Sequence, residues 1–244
     1  MDHPIKYNRV LLKISGESLS GEGGFGIDRD QLHKIAQQCV DVQKAGAELA
    51  IVCGGGNFIR GAQFTQDGTF PRTTADYMGM LGTVINALAL QETMETLYPG
   101  DEMSVRVMSA ISISRVCEPF IRRKAIRHLE KGRAIILAAG TGNPFFTTDT
   151  CAALRAAEIE ADALLKATKV DGIYDCDPKT NPDAKRFDNL TYTEAIDKRL
   201  KVMDMAAFTM CEEREMPVIV FDMGVPGNIL KVVKGETIGT TVGV

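Results

Sequence analysis

The sequence contains no tryptophan, only three histidines and 6% aromatic residues, so an aromatic cage or a histidine-rich metal centre has little to draw on. Its six cysteines, at positions 39, 53, 117, 151, 176 and 211, form no C-x-x-C pair and have no histidine at ligand spacing. That pattern excludes a zinc ribbon or a disulfide framework and predicts reduced thiols. No apolar run is long enough to cross a bilayer and residues 1–8 are polar, which predicts a soluble, cytoplasmic protein with no membrane partner. With 28 Lys and Arg against 32 Asp and Glu, the formal net charge is −4, and no block of cations offers a footprint for nucleic acid. Several familiar chemistries are missing as well. There is no G-x-x-x-x-G-K-[ST], no protein-kinase catalytic loop, no H-E-x-x-H and no nucleophile elbow. Gly21-x-Gly23-x-x-Gly26 has dinucleotide-fingerprint spacing, but it lies well past the first strand. The second strand also ends at Cys53-Gly54, without the acid that would hold a ribose.

What is present is an ordinary globular mixture, 45% hydrophobic and 25% charged over 244 residues, read as a single domain spanning 1–244. Apolar β-type runs recur at 9–14, 47–53, 105–109, 133–139, 162–167 and 217–221. Helical periodicity occupies 28–45, with Gly46 as its stop, and 119–131, with Gly132 in the same role. This alternation predicts βαβ units and an α/β fold, a largely parallel sheet covered by helices on both faces. The stretch 73–98 is unusually apolar, with Met78, Met80, Leu81, Val84, Ile85, Leu88 and Leu90. One of its faces fits either a subunit interface or the protein's own core, and Gly79 and Gly82 permit close approach.

Ligands of such sheets bind beyond the carboxyl ends of the strands, and four polar or glycine-rich clusters stand there. The first is Leu12-Lys13-Ile14-Ser15-Gly16-Glu17, where Gly16 lets amides turn toward an anion and Lys13 adds a point charge, or simply extends to solvent. The second is Gly54-Gly55-Gly56-Asn57 with Arg60, bare backbone for a phosphate plus a bidentate cation, against the plainer reading of a flexible turn. The third runs from Gly140 to Asp149 and leads into a helix starting near Cys151. Its hydroxyls and amides suit a monoester phosphate, Phe145 and Phe146 either wall a ring or pack, and Asp149 also fits an N-cap. The fourth is 165–178, with Lys166, Lys169, Asp171 and Asp177, of which the acids are also ordinary turn formers. Asp76 fits a capping pattern, Thr73-x-x-Asp76. Loops 61–72 and 171–189 are rich in turn residues and read as working loops.

From Arg9 to Val242 these clusters, in this order and with Met78-Gly79-Met80 behind Asp76, resemble the amino acid kinase family, and within it the bacterial UMP kinase type. The resemblance implies a three-layer α/β/α sandwich that transfers phosphate from ATP to UMP in pyrimidine nucleotide synthesis. It implies catalytic roles for Lys13, Asp149 and Lys166. ATP contacts are implied at Lys13, Ile14, Ser15, Gly16, Gly56, Arg60, Thr168, Tyr174 and Asp177. UMP contacts are implied at Gly55, Asp76, Thr141, Gly142, Asn143, Pro144, Phe145, Phe146, Thr147 and Thr148, with Asp76 on the ribose. Mg²⁺ is expected to arrive with ATP, without direct protein ligands. The resemblance further implies a homohexamer activated by GTP and inhibited by UTP. Gly21, Glu22, Gly23, Gly24, Phe25 and Gly26 match the segment linked to GTP, whereas Gln91 and Glu95 stand where basic residues would face that effector. The alternatives are a carboxylate or carbamate kinase of the same fold and a non-catalytic nucleotide-binding storage or sensor protein. The 140–149 run speaks against the former, and the joint presence of Lys13, Asp149 and Lys166 against the latter.

Overall fold

A computed structural model of the chain describes residues 4–21, 24–59, 70–99, 104–178, 180–200 and 203–243. Its centre is a nine-stranded sheet in the order β4-β3-β5-β2-β1-β6-β10-β11-β9. The strands are β1 (Arg9–Ile14), β2 (Glu48–Cys53), β3 (Val105–Ser109), β4 (Glu118–Pro119), β5 (Ala134–Ala138), β6 (Ala163–Thr168), β9 (Asn189–Leu190), β10 (Val218–Asp222) and β11 (Thr240–Val242). Every pairing is parallel except β10 with β11. A separate antiparallel pair, β7 (Ile173–Tyr174) and β8 (Arg186–Phe187), stands in the 171–189 loop. The helices are α1 (Arg29–Lys44), α2 (Arg72–Leu97), α3 (Arg122–Leu129), α4 (Thr148–Glu158), α5 (Tyr192–Asp197), α6 (Met205–Glu213) and α7 (Asn228–Val233).

The sandwich has a simple cause. Strand side chains alternate between faces, and β1 carries apolar residues on both, Val10, Leu12 and Ile14 on one and Leu11 between Arg9 and Lys13 on the other. Val10, Leu12 and Ile14 join one core with α1, α2 and α7, while Leu11 joins the other with α3, α4, α5 and α6. Val10, Leu11, Leu12 and Ile14 are all fully buried, which explains why the run at 9–14 reads so cleanly. The six strands expected from the sequence lie within one residue of their observed bounds.

Three local expectations are corrected. The helix expected over 119–131 is shorter, because residues 118–119 pair with Met108 and Ser109 at the sheet edge before α3 begins. Helix α2 starts at Arg72 behind Pro71, so Thr73 is not its cap and Asp76 is free for another task. Helix α4 starts at Thr148 rather than near Cys151, with Thr147 as N-cap, so Asp149 lies inside the first turn.

Helix α2 has one face in the protein's own core and another that is exposed. Met80, Val84, Ala87, Leu90 and Met94 are buried in the core, while Tyr77, Leu81 and Ile85 form an exposed stripe at helical spacing. The close approach to the 54–58 loop depends on Gly55, whose Cβ would lie 2.3 Å from Gly79 O, with Gly82 facing the same loop; a Cβ on Gly79 would meet nothing within 4 Å, so the role expected of Gly79 is not seen. Among the described residues no helix is long and apolar enough to cross a membrane. All six cysteines are free thiols. Burial pushes the Cys53 thiol up to about 12 and the Cys151 thiol up to about 11, which disfavours their thiolate forms.

Candidate active site

The parallel pairing of β1 and β6 puts Lys13 directly beside Lys166 in register. Both side chains are about six-sevenths buried, and two ammonium groups held this close repel one another. Asp149 resolves the conflict. It stands in the first turn of α4, and its Oδ2 accepts a hydrogen bond from Lys166 Nζ at 2.7 Å. Lys13 Nζ lies 2.9 Å from Oδ1, an ion pair that is off the hydrogen-bond direction. Burial raises the Asp149 carboxyl, but the charges of Lys13 and Lys166 outweigh it and hold the group below the usual carboxylate range. Burial also lowers Lys166, with Lys13 adding to the fall and Asp149 opposing it. The net result is a cluster of two cations and one anion at a helix N-terminus, a place suited to the negative charge of a phosphoryl group.

Besides a cavity of about 380 Å³ lined by Asp149, Lys166, Leu200 and Met205 among others, two more open near this cluster. One, of about 260 Å³, is lined by Gly55, Gly56, Asp76, Gly140, Thr141, Phe146, Thr147 and Thr148 among others. The second, of about 630 Å³, is lined by Lys166, Thr168, Tyr174, Asp177 and the β7–β8 segment. Of the predicted acceptor residues, Gly55, Asp76, Thr141, Phe146, Thr147 and Thr148 therefore gather on one side of Lys13, Asp149 and Lys166, and Thr168, Tyr174 and Asp177 lie on the other. Gly142, Asn143, Pro144 and Phe145 do not line the smaller cavity. Asn143 is tied to Thr141 and Gly142 approaches Ala110, while Phe145 is exposed at positive φ with its N–H donating to Asp76 Oδ2 at 2.8 Å. The Ile14 side chain is in the core, which leaves only its backbone for a nucleotide. Gly16 sits against the second glycine cluster, where an added Cβ would come within 2.7 Å of Gly54 O. Arg60, Glu22, Gly23 and the 61–69 part of the predicted working loop lie outside the described residues.

Sequence reasoning missed Asp204. It caps α6 by accepting from Ala207 N at 3.0 Å, and also accepts hydrogen bonds from the hydroxyls of Thr147 and Thr150. The start of α4, and with it Asp149, is thereby pinned to the start of α6. A helix-cap pattern is visible at Asp204-Met205, but a partner 54 residues away is not. Arg155 was missed too. Buried on α4 and stacked 3.8 Å from the Phe120 ring, it supports the loop through a long contact to Gly140 O. Among the described residues no group of three or more His, Cys, Asp or Glu side chains is placed to hold a metal, and both Asp149 oxygens face lysines.

Comparison with known proteins agrees with this geometry. The model of the amino acid kinase family matches residues 8–222. A uridylate kinase from Xanthomonas oryzae is 56% identical over 238 residues, covering 98% of this chain and 97% of the relative. The chloroplastic uridylate kinase PUMPKIN of Arabidopsis thaliana is 54% identical over 240 residues, 98% of this chain and 70% of that protein. Among solved structures, UMP kinase from Bacillus anthracis superposes with a TM-score of 0.93 at 37% identity, covering 97% of this chain and 96% of that one. The chain belongs to the amino acid kinase family.

Proposed function

We propose that this chain is a UMP kinase, transferring the γ-phosphoryl group of ATP to the phosphate of UMP to give ADP and UDP. The observation that carries it is the bridged pair Lys13–Asp149–Lys166 set between two cavities, one glycine- and hydroxyl-lined and one reaching Tyr174 and Asp177. The names of the relatives point the same way. Phosphoryl transfer asks the protein for alignment and charge stabilisation rather than a covalent nucleophile, and the site offers just these. A UMP phosphate oxygen attacks the γ-phosphorus in line from the 260 Å³ side. The two ammonium groups face the charge spread over the transferring group, and Asp149 keeps them aimed. Mg²⁺ bound to ATP supplies further neutralisation of the phosphate oxygens. ADP formation with Mg-ATP and, separately, UMP, CMP, dTMP, AMP, GMP, glutamate, aspartate and carbamate tests this. UMP turning over well above the rest is the expected result; ATP binding without any turnover would instead favour the storage or sensor reading.

Asp76 belongs to the acceptor side in this scheme. Its Oδ2 serves Phe145 N and the Arg72 guanidinium, so Oδ1 is the oxygen we assign to a ribose hydroxyl. Asp76→Ala is expected to raise KM for UMP by about tenfold or more while leaving KM for ATP nearly unchanged, the loss of one charge-assisted hydrogen bond. Steady-state kinetics with each substrate varied decides it, and equal losses for both would remove the ribose role.

Pyrimidine nucleotide synthesis in the cytoplasm is the setting we infer, with UTP as an inhibitor. The exposed stripe Tyr77, Leu81 and Ile85 on α2 supports assembly into a homohexamer through that helix. GTP activation is less well supported. Gln91 donates to Val105 O at 3.0 Å, and Glu95 accepts from Val105 N and lies 3.8 Å from Arg106. Both residues hold β3 instead of offering positive charge to an effector.

A further inference from the structure

We propose that Asn57 and Asn86 form a buried positioning pair that aims the Gly55 N–H group at the transferring phosphoryl group, beside the Gly56 N–H, an inference that rests on the phosphotransfer reading above. Glycine backbone is conformationally permissive, so three consecutive glycines cannot hold an amide in one direction by themselves. Something outside the loop has to. Asn57 and Asn86 are 1% and 0% exposed. Their amides hydrogen-bond reciprocally at 2.8 and 2.9 Å. The remaining N–H of Asn86 donates to Gly54 O at 2.8 Å, and that of Asn57 to Gly26 O at 2.8 Å. No donor in the pair is left over, as a buried amide network requires.

The consequence lies one atom further along the chain. In a planar trans peptide the carbonyl of one residue and the N–H of the next point in opposite directions. Asn86, drawing Gly54 O toward α2, sends the Gly55 N–H the other way. Phe58 N and Ile59 N both donate to Gly55 O, at 3.0 and 3.1 Å, which fixes the Gly56 N–H in the same manner. Neither the Gly55 nor the Gly56 N–H donates to any acceptor among the described residues, although Gly55 is buried. Both residues line the smaller cavity. Buried N–H groups without partners are costly, and an anion is the ligand that satisfies them. Gly16 closes the other side of the loop by close packing, so the aim is fixed by sterics there and by the amide pair here.

The test is Asn86→Asp, which keeps shape and acceptor but turns an oxygen toward Gly54 O and Asn57 Oδ1. With wild type active on UMP, kcat is expected to fall by ~10²-fold, the loss typical of a misaimed oxyanion donor. ADP affinity should stay within about threefold, while affinity for the complex of ADP, aluminium fluoride and UMP, which mimics the transferring group, should fall with kcat. Paired Asn57→Leu/Asn86→Leu removes both amides at similar volume but leaves Gly54 O and Gly26 O without their donors, so it should show the same kcat loss together with a lowered Tm. Either variant turning over within about threefold of wild type would overturn the proposal. So would ADP affinity falling as far as kcat, or both variants failing to fold, since the pair would then be core packing alone. A wild type inactive with every acceptor would instead remove the phosphotransfer reading, and this inference with it.

Discussion

Lys13→Ala is expected to lower kcat by ~10³-fold or more while changing ATP affinity far less, because its charge is needed most when negative charge has spread over the transferring group. Its ammonium is held by backbone register beside Lys166 and by Asp149, not by a flexible loop. Single-turnover kinetics together with direct ATP binding separates the two effects. A loss confined to KM would mean that Lys13 merely binds nucleotide.

The second large effect is expected from Asp149→Asn. The substitution keeps shape but leaves Lys13 and Lys166 facing each other in a partly buried site with no counter-charge, and kcat should fall by roughly 10³-fold. A pH signature accompanies it. Lys166 already sits below the ordinary lysine value through burial, with Asp149 opposing the fall. Turnover needs its protonated form, so activity declines as pH rises through that lowered pKa. Removing Asp149 lowers it further, and the alkaline limb of the kcat profile should move to lower pH; an unmoved limb would deny the coupling. Stability responds at the other end. The Asp149 pKa is depressed in the folded state, so its contribution is present above the unfolded value of ~3.9 and lost as pH falls through the folded one. Acid unfolding of the Asn variant should therefore lack that part of the pH dependence.

The same residues show what could be read in advance. Strands such as Glu48–Cys53 and Ala134–Ala138 were legible because burial on both faces leaves a nearly continuous apolar run. The two-residue strands β4, β7, β8 and β9 were not, since so short a segment becomes a strand only through its partner. Helix α5 carries a capping box, Thr191 with Glu194, a signal present in the sequence but easily lost in a turn-rich stretch. Lys13, Asp149 and Lys166 were identified by resemblance, whereas their union around one carboxylate is a product of β1–β6 register and the start of α4. Asp204 and the Asn57–Asn86 pair were invisible because each acts through partners 29 or more residues away and carries no chemistry of its own.

The in-register rung that joins Lys13 to Lys166 makes catalysis hostage to chain length. Alternate residues of a strand face opposite sides, so deleting one residue from the short 159–162 connection leaves β6 a choice. It can keep its ladder and turn the Lys166 ammonium into the apolar layer beneath α1, or keep the lysine and bury its neighbours wrongly. Neither solution is active, though no residue at the site has changed. Insertions and deletions should accordingly be harmless at the distant sheet edges and ruinous in that connection, a pattern that deletion scanning would draw as a map of the rung itself.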